Sequence, residues 1–149
     1  MKHFLFIVLI FAASCTNSSN KTAESKQAEI IPDSTRKLES NEQTLRLEYM
    51  SWFCSCANWA TPSDLAKYKD TGKLSDHCIF IEPANSSLDL PDTIGYSADA
   101  VQFTGSFYLY PGFPKGFVQS EDKAEKAKVF RYTAFKILRS NYRNFIPAK

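Results

Sequence analysis

The chain has 149 residues, is 44% hydrophobic and 14% aromatic, and carries a formal charge of +2 at neutral pH. That size and balance fit one small domain and exclude two ordinary domains, a collagen, a long coiled coil and a polybasic nucleic-acid arm. The averages hide an uneven spread, with an apolar run first, a polar stretch next and an aromatic-rich remainder.

Met1, Lys2 and His3 make a short, weakly basic opening, and residues 4–13 (FLFIVLIFAA) are all apolar. As a helix this run spans about 15 Å, half of a roughly 30 Å hydrocarbon core. It is too short for a spanning anchor and suits the apolar region of a signal peptide over residues 1–14. Ala12, Ala13 and Ser14 then precede Cys15. This order of charge, apolar run, small residues and cysteine resembles the lipobox of bacterial lipoproteins, with Ala12 where that family usually has Leu. The resemblance implies that the Cys15 thiol receives a diacylglycerol and becomes the acylated, palmitate-bearing N-terminus. Two or more acyl chains hold a protein on a membrane stably, whereas one holds it reversibly. Thr16, in place of Asp after the cysteine, implies outer-membrane sorting with the domain facing the periplasm. In overall form the chain is similar to small lipoproteins of Bacteroidota. Ordinary secretory cleavage after Ser14 would instead leave Cys15 as a free thiol.

Residues 16–43 are rich in Ser, Asn, Lys, Glu and Gln, with Ile30 and Ile31 as the strong apolar pair. Such a segment buries too little to offset its ordering entropy and reads as a disordered tether behind the lipidated cysteine, over 15–43. As a flexible coil it spans on the order of 30 Å. Residues 44–149 remain as a single β-rich domain, large enough to bury a core without disulfides.

Within it, residues 44–59 alternate. Leu45, Leu47, Tyr49, Ser51 and Phe53 share one face and Arg46, Glu48, Met50, Trp52, Cys54 and Cys56 the other, which predicts one long, bent strand. Thr61, Pro62 and Asp64 read as a helix start, with Leu65 and Tyr68 facing inward and Gly72 beyond the end. Residues 78–82 form a second strand, ended by Pro83. Residues 85–99 are loop-like. Residues 100–110 are the cleanest strand, with Val101, Phe103, Phe107 and Leu109 facing one way. Gly105 in its interior signals a bulge or sharp bend. Residues 111–116 are turns, 120–127 a second short helix, and 129–138 the last strand. These elements predict a small α+β, mainly β domain. It is either a small curved antiparallel sheet or an OB-like, partly closed barrel, with two short helices.

Cys54, Cys56 and Cys78, with His77, are the residues that could carry chemistry. Four such side chains could form a Cys₃His site for zinc, or for Cu(I) on the thiolates. The one-residue gap between Cys54 and Cys56 is short for a zinc pair, and no cofactor is the first expectation. In an oxidising envelope the simpler reading is a disulfide between Cys78 and Cys54 or Cys56, with the third thiol buried. No Ser–His, Cys–His, phosphate-loop or metalloprotease pattern is present. Asp70-Thr71-Gly72 has the aspartic-protease triplet but reads as a helix exit. An enzyme is therefore not expected.

Tyr108, Tyr110, Phe113, Lys115 and Phe117 surround the Pro/Gly turn. Aromatics usually mean core, but on a turn they can form a contact patch, with Phe113 the foremost candidate for exposure. Residues 44–114 carry a net charge of −4 and residues 115–149 one of +6. Pairing of the basic third with the acidic part is the simpler reading, and nucleic acid is not an expected partner. The expectation is a membrane-anchored envelope lipoprotein with a non-enzymatic binding or assembly role. Its partner would be another envelope protein or a small ligand. A metal- or thiol-binding envelope protein using Cys54, Cys56, His77 and Cys78 is the alternative.

Overall fold

The computed structural model describes residues 36–119 and 124–142. Five strands form one sheet: β1 (Gln43–Tyr49), β2 (Trp59–Ala60), β3 (Phe80–Pro83), β4 (Ala100–Phe107) and β5 (Val129–Arg139). A helix, α1 (Pro62–Tyr68), and two short 3-10 turns (Leu74–His77 and Ser86–Leu88) lie in the connections. The sheet order is β2-β1-β4-β5-β3. Neighbours are antiparallel except β3 and β5, which run parallel, so the sheet is mixed rather than wholly antiparallel. Ile79, just ahead of β3, bridges Trp59 in β2 through a reciprocal pair of backbone hydrogen bonds of 2.8 and 3.2 Å. That bridge joins the two outer strands and curls the sheet into a half-barrel. The chain is thus a small α+β, mainly β domain.

The alternation that predicts a strand from residue 44 holds as far as Tyr49. There the chain leaves the sheet: Met50 N donates to Asn58 O at 2.7 Å and the Trp52 indole donates to Ala57 O at 3.0 Å. Residues 50–58 are therefore a closed loop, and the expected long strand is two strands, β1 and β2. Phe53, expected on the face of Leu45, is wholly exposed at the loop tip. The helix start is as read from the sequence. Thr61 accepts from Asp64 N at 3.1 Å and Pro62 opens the first turn. Leu65 and Tyr68 pack inward. Asp70-Thr71-Gly72 is the turn behind α1, with Gly72 at φ +70°.

Gly105 lies opposite a bulge in β5: Thr104 pairs with Ala134 and Gly105 with Tyr132, leaving Thr133 as the extra residue. A Cβ there would sit 2.1 Å from Arg131 O and 2.7 Å from Tyr132 Cα, so β5 crosses directly over a position that only glycine can fill. Past the bulge Phe107 still packs with Phe103 on the first cluster, and the departure comes at Leu109. Leu109, expected to point with Phe103, is 43% exposed, while Tyr108 packs on the second cluster, on the side opposite Phe107. The second helix is also corrected: residues 124–126 are irregular and Ala127 bridges Gly112. Residues 120–123 lie outside the described residues. So do residues 1–35, which hold the expected leader, Cys15 and most of the tether.

The ordered part starts ahead of Thr44. Leu38 bridges Tyr108, Glu39 N donates to Phe107 O at 2.8 Å, and Leu109 N donates to Lys37 O at 2.9 Å. Polar side chains hid this pairing, because it is made by the backbone.

Two apolar clusters sit within the fold. Leu47, Trp59, Ile79, Val101, Phe103, Phe130 and Tyr132 form the first, with Trp59 edge-on to Phe103 at 5.2 Å. The Tyr132 hydroxyl donates to Leu88 O at 2.8 Å, tying the loop after β3 to this cluster. Ala57, Ala60, Leu74, Cys78, Phe80 and Val129 form the second, under α1 and the two long loops. Gly105→Ala should cost about 1–3 kcal/mol, because backbone rather than a movable side chain blocks the new methyl. Chemical denaturation of the variant checks this, and Gln102→Ala on the same strand serves as the control.

Candidate functional site

Residues 50–58 and 108–119 form two loops whose inner side chains rest on the second cluster. Met50 and Trp52 come from the first loop, and Tyr108, Phe113 and Phe117 from the second. Phe113 and Phe117 stack at 4.5 Å, and both rings approach Phe80 in β3, at 6.0 and 5.5 Å. The expectation that Phe113 is exposed is therefore corrected: the Pro-Gly turns fold it back onto the sheet. Of the five residues of the expected patch, Tyr108, Phe113 and Phe117 point inward. Tyr110 and Lys115 are exposed, and Val118 joins them.

The second loop is held by a carboxylate that sequence reasoning missed. Glu82 is 5% exposed and accepts from the Tyr108 hydroxyl at 2.7 Å and from Lys115 N at 2.7 Å. Its third partner is the Arg36 guanidinium, which pairs with the same carboxylate. Arg36 also lies over the Tyr108 ring, 4.5 Å from its centroid, and reaches Phe113 O at 3.4 Å. Burial pushes the Tyr108 hydroxyl above the ordinary tyrosine value, so it remains a donor throughout the neutral range. One signal was available: a Glu alternating with Phe80 in a short apolar strand must face the core and needs partners. Nothing local identified Arg36, which lies 46 residues away.

Asp99, also buried, was missed too. It accepts from Gly95 N, Tyr96 N and Asn141 N at 2.9, 2.9 and 2.5 Å, which fixes the 95–99 turn to the end of β5. Basic groups of the C-terminal third pair into the rest of the domain. Arg139 meets Glu48 at 3.1 Å and Ala98 O at 2.7 Å, and Arg131 meets Ala84 O at 3.1 Å.

The cysteines are arranged differently from the expected Cys78 pairing. Cys54 and Cys56 are joined to each other, and Cys78 is a free, buried thiol in the second cluster. The loop turns the two sulfurs of 54 and 56 together, whereas a single straight strand would have set them side by side. His77 stacks flat on Tyr68, ring centroids 3.6 Å apart. Among the described residues no three metal-capable side chains converge, so Cys54, Cys56, His77 and Cys78 do not make the Cys₃His set. Burial, and secondarily the charge of Asp64, pushes the Cys78 thiol up to about 11.

No protein-family model matches the chain, and neither a curated protein nor a solved structure is similar to it.

Two outcomes follow from this geometry. Glu82→Ala leaves Arg36 without its counter-charge and releases Lys115 N, so unfolding stability should fall by about 3–5 kcal/mol. The double change Arg36→Met with Glu82→Leu should recover part of that loss in the same denaturation assay. Cys78 should behave as a protonated, inaccessible thiol. At pH 8 the folded Cys15→Ser chain should react with a thiol reagent far more slowly than the same chain in denaturant, where one thiol appears per chain.

Proposed function

We propose that this chain is a lipid-anchored envelope lipoprotein whose curled-sheet domain serves a binding or assembly role. The anchor rests on the leader pattern and Cys15. A diacylglyceryl group there would hold the domain at the membrane, on the outer membrane facing the periplasm, with residues 16–35 as the spacer. The contact surface rests on one observation: two loops packed on the same cluster each present large apolar side chains to solvent. Phe53 projects from the first, and Tyr110 and Val118 from the second. Exposed apolar groups on rigidly held loops lose little entropy on docking, which favours recognition of another envelope protein.

The described core favours a surface partner over an enclosed small ligand. Among the described residues, every buried side-chain nitrogen and oxygen already has a hydrogen-bond partner. An incoming ligand would find no orphaned polar group there to recognise.

Cys15→Ala should move the protein from the membrane to the soluble fraction and abolish incorporation of a labelled fatty acid. Retention of the variant in membranes would contradict the anchor. A photoreactive residue at position 53 or 110 should crosslink to a discrete envelope protein in intact cells. Crosslinks that are equally strong from an exposed position on α1, such as Lys67, would contradict a loop-borne contact surface.

A further inference from the structure

We propose that the Cys54–Cys56 disulfide is a thiol–disulfide exchange site that oxidises dithiols in polypeptide chains docking at Phe53. The bridge has little to do as a staple. It encloses Ser55 alone, so it restrains almost no chain. The loop that carries it is already closed by Met50 N to Asn58 O and by the Trp52 indole to Ala57 O. The bonded pair sits near the tip of that loop in half-buried positions, outside both apolar clusters. Phe53, covalently next to Cys54, is the most exposed large apolar residue of the described part. An extended peptide covering that ring would bring its own cysteines to the disulfide.

The chemistry balances without a further co-reactant. A substrate thiolate attacks one sulfur of the pair, forming a mixed disulfide and releasing the other cysteine as a thiolate. A second substrate thiolate then attacks the substrate sulfur of the mixed disulfide. The products are an oxidised substrate and a Cys54/Cys56 dithiol, with two electrons and two protons passed to this chain. Another protein disulfide of higher potential reverses the change by the same exchange. The third cysteine does not interfere: Cys78 is buried and its thiol stays protonated, so it does not attack the bridge from within.

The test uses the full chain in detergent with Cys15→Ser, so that one disulfide and Cys78 are the cysteine sulfurs present. A reduced synthetic peptide with two cysteines flanked by apolar residues is the probe, followed by mass spectrometry. The expected result is one-for-one transfer from the folded protein: the peptide loses two hydrogens and the protein gains them. Cys54→Ser should abolish transfer. Phe53→Ser, which changes an exposed side chain, should slow transfer to the peptide at least about fivefold while leaving reduction by dithiothreitol unchanged, as removal of one large apolar contact predicts. A disulfide that stays intact with the peptide until denaturant unfolds the chain would overturn the proposal. So would a marked drop in melting temperature on its reduction, which would make it a structural staple. Neither anchor nor envelope partner enters the assay, so its outcome is separate from the binding role proposed above.

Discussion

The Glu82 carboxylate is the point on which the loop end of the domain depends. A buried carboxylate is costly unless its lone pairs are filled, and here three different parts of the chain fill them. Arg36 brings the start of the described part, Tyr108 the end of β4, and Lys115 N the tip of the aromatic loop. Removing any one donor leaves the others around a charge with less compensation. The value of such a centre is specificity more than stability. An apolar residue in place of Glu82 would bury well, but it would not dictate which backbone N–H or which arginine sits beside it. The two stacked rings, Phe113 and Phe117, then settle on Phe80 in β3 because the loop between them is held at Lys115.

Sheet curvature places this centre. β5 runs beside β4, parallel to β3, and crosses the bulge at Gly105, where backbone contacts backbone. The bend lets Trp59 and Ile79 meet across the open side. With the sheet curled, one set of side chains fills the first cluster, and Phe80 and Glu82, two residues apart, turn together toward the loops. The second cluster lies on the opposite face: Phe80 and Val129 alternate with Ile81 and Phe130 of the first, and α1 and the loops cover them.

What could be read from the sequence was what local rules govern. Period-two alternation located β1 and β4. The Thr-Pro-x-Asp pattern located α1, and an isolated glycine located the bulge. Local rules failed where long-range pairing decides the outcome. Residues 50–58 keep a strand's alternation, but their backbone closes on itself, which moves Phe53 outward and brings Cys54 and Cys56 together. Residues 36–42 have a linker's composition, yet backbone bonds to β4 hold them. Aromatics on a Pro-Gly turn looked like a surface patch because composition does not show that a carboxylate 33 residues earlier draws the turn inward. The same limit explains the mistaken disulfide partner: strand adjacency suggested Cys78, and the loop made the nearer pair closer still.

Arg36 also bears on the proposed anchor. In a lipid-anchored chain, any pull between membrane and domain arrives through the residues ahead of it. The first side chain of the described part is bound to Glu82 and lies over Tyr108, and the next residues pair with the end of β4. Load would therefore enter the sheet along β4, its most extensively paired strand, and bypass the 50–58 loop. A charged pair and backbone pairing with the end of β4 are gathered at that entry, away from Phe53. In such an anchored chain the entry would lie at the Arg36–Glu82 pair, which also holds the loop presenting Tyr110 and Val118, and away from the 50–58 loop that presents Phe53.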